Sequence, residues 1–278
     1  MLEVMRLTSL ELVRRKFVPA AAIGTLALIV MTSWGFWHLS HSTHLNFVQQ
    51  RTITAVLSIL MAYLFSFVIA FAAIALAAPT ISNDVDNGTL LPILARPISR
   101  RAIVFAKALA LALISGAYAA LSVLGEFAGI NVVSGYWPPH PFLAAFFLAL
   151  LSAVMVVLGV ALSTRMSTIA ASITGVAAFG IAWIGGIAGS IGLALGNTTL
   201  LHAGTMSALL LPSDAMWRFA VYDLQPVALV ASFSQNPGNW PGPFFVKVPE
   251  PPSMFVWTCV WLVAVGAIAA RSFSARDI

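Results

Sequence analysis

Residues 80–107 read TISNDVDNGTLLPILARPISRRAIVFAK. They stand between two long apolar runs in a chain of 278 residues that is 60% hydrophobic and 8% charged. The stretch holds two of the nine acids, Asp84 and Asp86, and four of the fourteen Lys and Arg residues, Arg96, Arg100, Arg101 and Lys107. A polar segment of that density between apolar runs faces water. It is also long enough to fold and meet a partner.

The runs on either side set the class. Soluble domains carry roughly 25% charged residues, so the composition is that of an integral membrane protein. The runs are continuous rather than alternating, which predicts helices and not barrel strands. A span needs about 20 apolar residues. The expectation is an all-α membrane protein, a single transmembrane domain over residues 1–278, with six transmembrane helices near 17–37, 55–78, 102–124, 142–163, 168–196 and 254–270. Residues 1–16 predict an amphipathic interfacial helix, with Leu2, Met5, Leu10 and Val13 at helical spacing and Arg6, Arg14 and Arg15 among the polar positions. The N-terminus does not read as a cleavable signal.

Charge orients the spans. Eleven of the fourteen Lys and Arg residues fall on one side: Arg6, Arg14, Arg15, Lys16, Arg96, Arg100, Arg101, Lys107, Arg165, Arg271 and Arg276. Arg51, Arg218 and Lys247 fall on the other. The positive-inside rule then places both termini and the 80–101 segment in the cytoplasm of a cell in which the protein sits in the plasma membrane. It also accounts for the net charge of +5, so no nucleic-acid partner is needed. Cys259 is alone in an apolar run and reports nothing on redox compartment.

The 197–253 segment is external in this topology. It is too apolar for a linker, and short helices are expected before the last span. Ser213 is expected to cap one of them, with Asp214 and Arg218 as an i,i+4 pair. The connection His38–Thr54 and the segment Glu126–Pro141 read as external too.

Several chemistries find no footing. There is no G-x-x-x-x-G-K-[ST] loop, so no phosphate cradle of that kind; any ATP is hydrolysed on another chain. Lys107 and Glu126 read as lying near span ends, leaving the spans uncharged, which argues against ion- or proton-coupled transport. His38, His41 and His44 share a helical spacing that suits a metal or an incidental interfacial loop. Gly185/Gly189 and Gly192/Gly196 are G-x-x-x-G pairs, which serve either a subunit interface or packing within one bundle. Tyr63, Ser66 and Phe67 form a candidate substrate path in the second span; the alternative is aromatics facing lipid.

The polar stretch itself has helical content. Leu90, Leu91, Ile93 and Leu94 make an apolar face over one or two turns, with Asp84 and Asp86 ahead of it, where the helix dipole favours negative charge. Pro97 ends it, and Ser99 is placed to cap the third span. Such a face lies either in a partner's groove or on lipid. The order Asp84, Asp86, Gly88-Thr89-Leu90, Leu94, Arg96-Pro97-Ile98-Ser99-Arg100 and Lys107 resembles the cytoplasmic signature of ABC-2 type transporter permeases: an acid, Gly-Thr, a Leu-rich turn, Pro-x-Ser-Arg and a following Lys. Asp84 stands where Glu is usual, and Pro92 interrupts the turn.

That resemblance implies a cytoplasmic coupling helix within 80–101 that docks on a separate ABC ATPase subunit, through Asp84, Asp86, Gly88, Thr89, Leu90, Leu94, Arg96, Pro97, Ser99 and Arg100. It implies a second permease copy, identical or not, and no cofactor on this chain, with ATP and Mg on the ATPase. It further implies export of an apolar or amphipathic substrate, with residues 200–224 as an outer gate. The alternatives are an ATPase-independent channel-like or accessory membrane protein, and a permease serving metalloenzyme maturation.

Overall fold

A computed structural model describes residues 17–41, 46–86, 99–235, 242 and 244–275. The chain is an all-α membrane protein, and six of its helices are long and apolar enough to span a bilayer. The helices are α1 (Phe17–Ser40), α2 (Phe47–Ala77), α3 (Pro79–Asp86), α4 (Arg100–Ser134), α5 (Pro141–Ser163), α6 (Thr168–Leu195), α7 (Thr198–Leu210), α8 (Ser213–Leu224), α9 (Val227–Gln235) and α10 (Pro252–Ser274). The N-terminal amphipathic helix expected over residues 1–16 lies outside the described residues.

Helix ends follow from local chemistry. α2 begins at Phe47, well before the expected Ala55, because Asn46 and Gln49 form a reciprocal cap. The Gln49 amide donates to Asn46 Oδ1 at 2.9 Å and the Asn46 amide to Gln49 Oε1 at 3.2 Å. The expected polar connection 38–54 is therefore mostly helix. Likewise α4 runs to Ser134 rather than Leu124. It stops where Gly135 adopts φ 67°, a left-handed cap whose amide donates to Asn131 O. Glu126 is therefore inside a helix, not in an external loop.

α5 is the axis of the bundle: 67% of its most apolar stretch is enclosed, against 11% for α1. It packs on α2, α4, α8 and α10. Small residues allow the close approach. A Cβ on Gly159 would stand 2.7 Å from that of Ala77, and Gly116 of α4 faces Ala149 of α5. α1 lies outside, against α4, through a polar seam: Thr25 pairs with Tyr118 and Thr32 donates to Glu126 at 2.9 Å.

α6 and α7 form a tight hairpin built on glycine. Gly189 and Gly204 meet across it; a Cβ on Gly204 would stand 2.5 Å from Gly189 Cα and 3.0 Å from Gly185 O. Gly192 abuts the Leu200–Leu201 backbone, and Gly185 abuts Ser207. The glycine face of the fifth span is thus occupied within the chain. The indoles of Trp257 and Trp261 on α10 donate to Leu209 O and Leu210 O at 3.0 and 2.8 Å, satisfying carbonyls at the end of α7 that its own helix leaves open.

Candidate coupling site

α3 continues α2 through Ala78, which keeps helical backbone angles and donates its amide to Ile74 O. Four of its groups tie it to neighbouring spans. Lys107 of α4 forms a buried ion pair with Asp84 and donates to Thr80 O at 3.2 Å. Ser82 Oγ lies 2.7 Å from Thr168 Oγ1, and Thr168 in turn donates to Asn83 Oδ1 at 2.8 Å. Thr168 is the first residue of α6. Ser99 caps α4, accepting from the Ala102 amide, and Arg100 opens that helix. The residues before and after the 87–98 stretch are therefore fixed to α4 and α6 as well as to α2.

Gly88, Thr89, Leu90, Leu94, Arg96 and Pro97 lie outside the described residues, as does the side chain of Asp86. Of the ten predicted coupling residues, the structure thus positions Asp84, Ser99 and Arg100. Lys107 closes the signature and reads as lying near a span end. It now has a physical role, since a buried amine requires a counter-charge and Asp84 provides one.

The candidate path residues lie elsewhere. Tyr63 and Ser66 are buried, not lipid-facing, and Phe67 is half-buried. The rings of Phe67, Trp217 and Phe244 pack edge-on against Tyr63, and the Trp183 indole donates to its hydroxyl. Ser66 donates to its own helix at Tyr63 O, 2.6 Å away. The gap among these side chains is only about 10 Å³, so the aromatic cluster is closed. Its α6 and α8 members share no sequence neighbourhood with the second span, so spacing did not reveal them.

Three sequence readings are corrected here. α8 begins at Ser213 itself, with Pro212 in the cap position; Ser213 Oγ is buried without a hydrogen-bond partner, so it caps nothing. Arg218 pairs with Glu250 rather than Asp214, and donates to Ser190 Oγ at 2.9 Å. The Glu250 carboxylate, drawn in from the chain before α10, captures the guanidinium. Glu126, read as near a span end, is 1% exposed within α4, and its Oε1 has no partner. A span therefore carries a buried acid, contrary to the expectation that the spans are uncharged.

Asp214, left without Arg218, borders a cavity of about 390 Å³ beside Gly186 and Gly189. Burial raises its pKa to about 6; Arg218 opposes the shift and Glu250 adds to it. The histidines are engaged with aromatics: His38 meets the Trp34 and Trp37 rings edge-on, and His41 Nδ1 lies 2.9 Å from Trp37 O. His44 lies outside the described residues. No metal-holding group of His, Cys, Asp or Glu occurs among the described residues.

Six helices long and apolar enough to span a bilayer, with a short polar helix tied to its neighbours, give the architecture of a multi-pass membrane protein. The sequence model of the "ABC-2 family transporter protein" family matches residues 40–278, and the chain belongs to that family. It is a multi-pass permease of an ABC transporter, a transport component that is not itself catalytic. Permeases of this family generally pair with ABC ATPase subunits. No curated protein matches the chain by sequence.

Proposed function

We propose that this permease is the membrane half of an ATP-driven exporter, that residues 84–101 dock on a separate ATPase subunit at the cytoplasmic face, and that the cargo is apolar or amphipathic. The observation that carries the reading is the Asp84–Lys107 pair with its Ser82–Thr168 neighbour. Any force applied to residues 87–98 reaches α2, α4 and α6 through these links. ATP binding acts by differential affinity of the ATPase for two permease arrangements. In one the Tyr63–Trp183–Trp217 cluster is closed, as here; in the other α2 and α6 separate and the cluster opens toward a second permease copy. Residues 200–224 form the outer gate.

Leu94→Asp and Arg96→Glu test the docking claim. Each is expected to abolish co-purification with the ATPase while the permease elutes normally on size exclusion. If either variant still co-purifies with an ATPase and still transports, the reading fails.

A further inference from the structure

At the end of α2 opposite Asp84, a cavity of about 540 Å³ lies between the first turn of α2, the turn after Gly135 and the start of α9. It belongs neither to the coupling site nor to the aromatic cluster. Arg51, Tyr136 and Thr52 border it, and the Thr52 hydroxyl is already used, donating to Val48 O. Arg51 makes no ion pair or hydrogen bond among the described residues; its guanidinium rests 5.9 Å from the Phe47 ring centroid. Tyr136 is 5% exposed, and its hydroxyl is buried without a hydrogen-bond partner among the described residues. Burial pushes the phenol up to about 12, with Arg51 pulling the other way, so the hydroxyl keeps its proton and is a standing donor.

The exposed Arg51 guanidinium and the unmet buried Tyr136 hydroxyl together offer donors to one anionic oxygen group. A buried hydroxyl left unmet is destabilising, and guanidinium forks match phosphate oxygens. The remaining wall is apolar, supplied by Phe47, Val48 and Leu229. Phe47 and Val48 are 73% and 72% exposed, so the apolar side opens to the surface of the bundle. Trp137, beside Tyr136, is a residue type favoured at headgroup level. A soluble anion would leave this apolar wall unused, and an uncharged tail would leave Arg51 and Tyr136 unmet.

We propose that this cavity is a phospholipid site, its phosphodiester held by Arg51 and Tyr136 and an acyl chain laid along Phe47, Val48 and Leu229. The inference does not depend on ATP coupling or on the direction of transport.

Native mass spectrometry of the full chain in mild detergent tests it, with short-chain phosphatidylglycerol as the probe. One phospholipid per chain is expected to be retained. Retention should fall about tenfold in both Arg51→Ala and Tyr136→Phe, the latter removing one oxygen atom, with partial recovery in Arg51→Lys. Size exclusion confirms that each variant is folded. Equal retention by the wild type and both variants overturns the proposal. So does equally tight binding of a diacylglycerol with the same chains, which marks a tail groove only. Displacement of the lipid by millimolar inorganic phosphate overturns it as well, by marking a free-anion site.

Discussion

Lys107 of α4 donates to two groups of α3 at once, the Asp84 carboxylate and the Thr80 carbonyl oxygen. The amine and the carboxylate are 8% and 18% exposed. This pair decides how firmly the polar segment is attached to the bundle.

Breaking one side of the pair is expected to be worse than removing both. Asp84→Ala leaves a buried amine and should destabilise by about 3–5 kcal/mol, whereas Asp84→Leu with Lys107→Met should come close to wild type. Thermal unfolding of the wild type, Asp84→Leu, Lys107→Met and the double variant in one detergent forms the cycle, with Asp84→Ala measured beside it. Additive losses would show that the two groups do not interact.

The glycine hairpin makes a positional prediction. Gly204→Ala places a Cβ against the Gly189 and Gly185 backbones and should cost about 1–3 kcal/mol. Gly180→Ala has no atom within 4 Å of the new Cβ and should be neutral or mildly stabilising, because alanine is the better helix former. Similar melting temperatures for the two variants would count against the hairpin packing.

Asp214 sets a pH dependence. Its folded pKa is raised from 3.8 to about 6, so the folded state binds the proton more tightly than the unfolded chain. Its stabilising contribution is full below about pH 4 and is lost as pH rises through about 6. Melting temperature should therefore rise on acidification from pH 7 to 5 by a component missing in Asp214→Asn. Discounted for partial exposure, that component is on the order of 1–2 kcal/mol. An identical pH profile for the variant would refute the assignment.

Thr32 is the only hydrogen-bond donor to Glu126 among the described residues. Thr32→Val should destabilise by about 1–3 kcal/mol, and Glu126→Gln should reduce that loss by removing the ionisable group. A Thr32→Val penalty unchanged by the Glu126→Gln background would show that the two do not act together.

Much of the fold was legible because membrane spans are written in continuous apolar runs, and Asp84, Ser99 and Lys107 were legible because they punctuate those runs. What escaped was set by contacts distant in sequence. Glu126 read as a loop residue because nothing in residues 120–134 shows that Thr32 will face it. Arg218 read as Asp214's partner because helical spacing places them together, but Glu250 arrives from 32 residues away. Asn46 and Gln49 did carry a cap signal, and the amide form of the usual hydroxyl–acid pattern concealed it. The glycine pairs were visible, but which helix they admit depends on the chain doubling back at Asn197.

The seam between α1 and α4 has a consequence for biogenesis. A carboxylate within an isolated span is expensive to integrate. Synthesis from the N-terminus delivers Thr32 to the bilayer before Glu126 is translated, so α4 enters lipid with a receptor for its acid already waiting. α1, enclosed so little by the finished bundle, is held to α4 chiefly through this hydroxyl face, so its order of arrival sets when the acid of the third span first meets a donor.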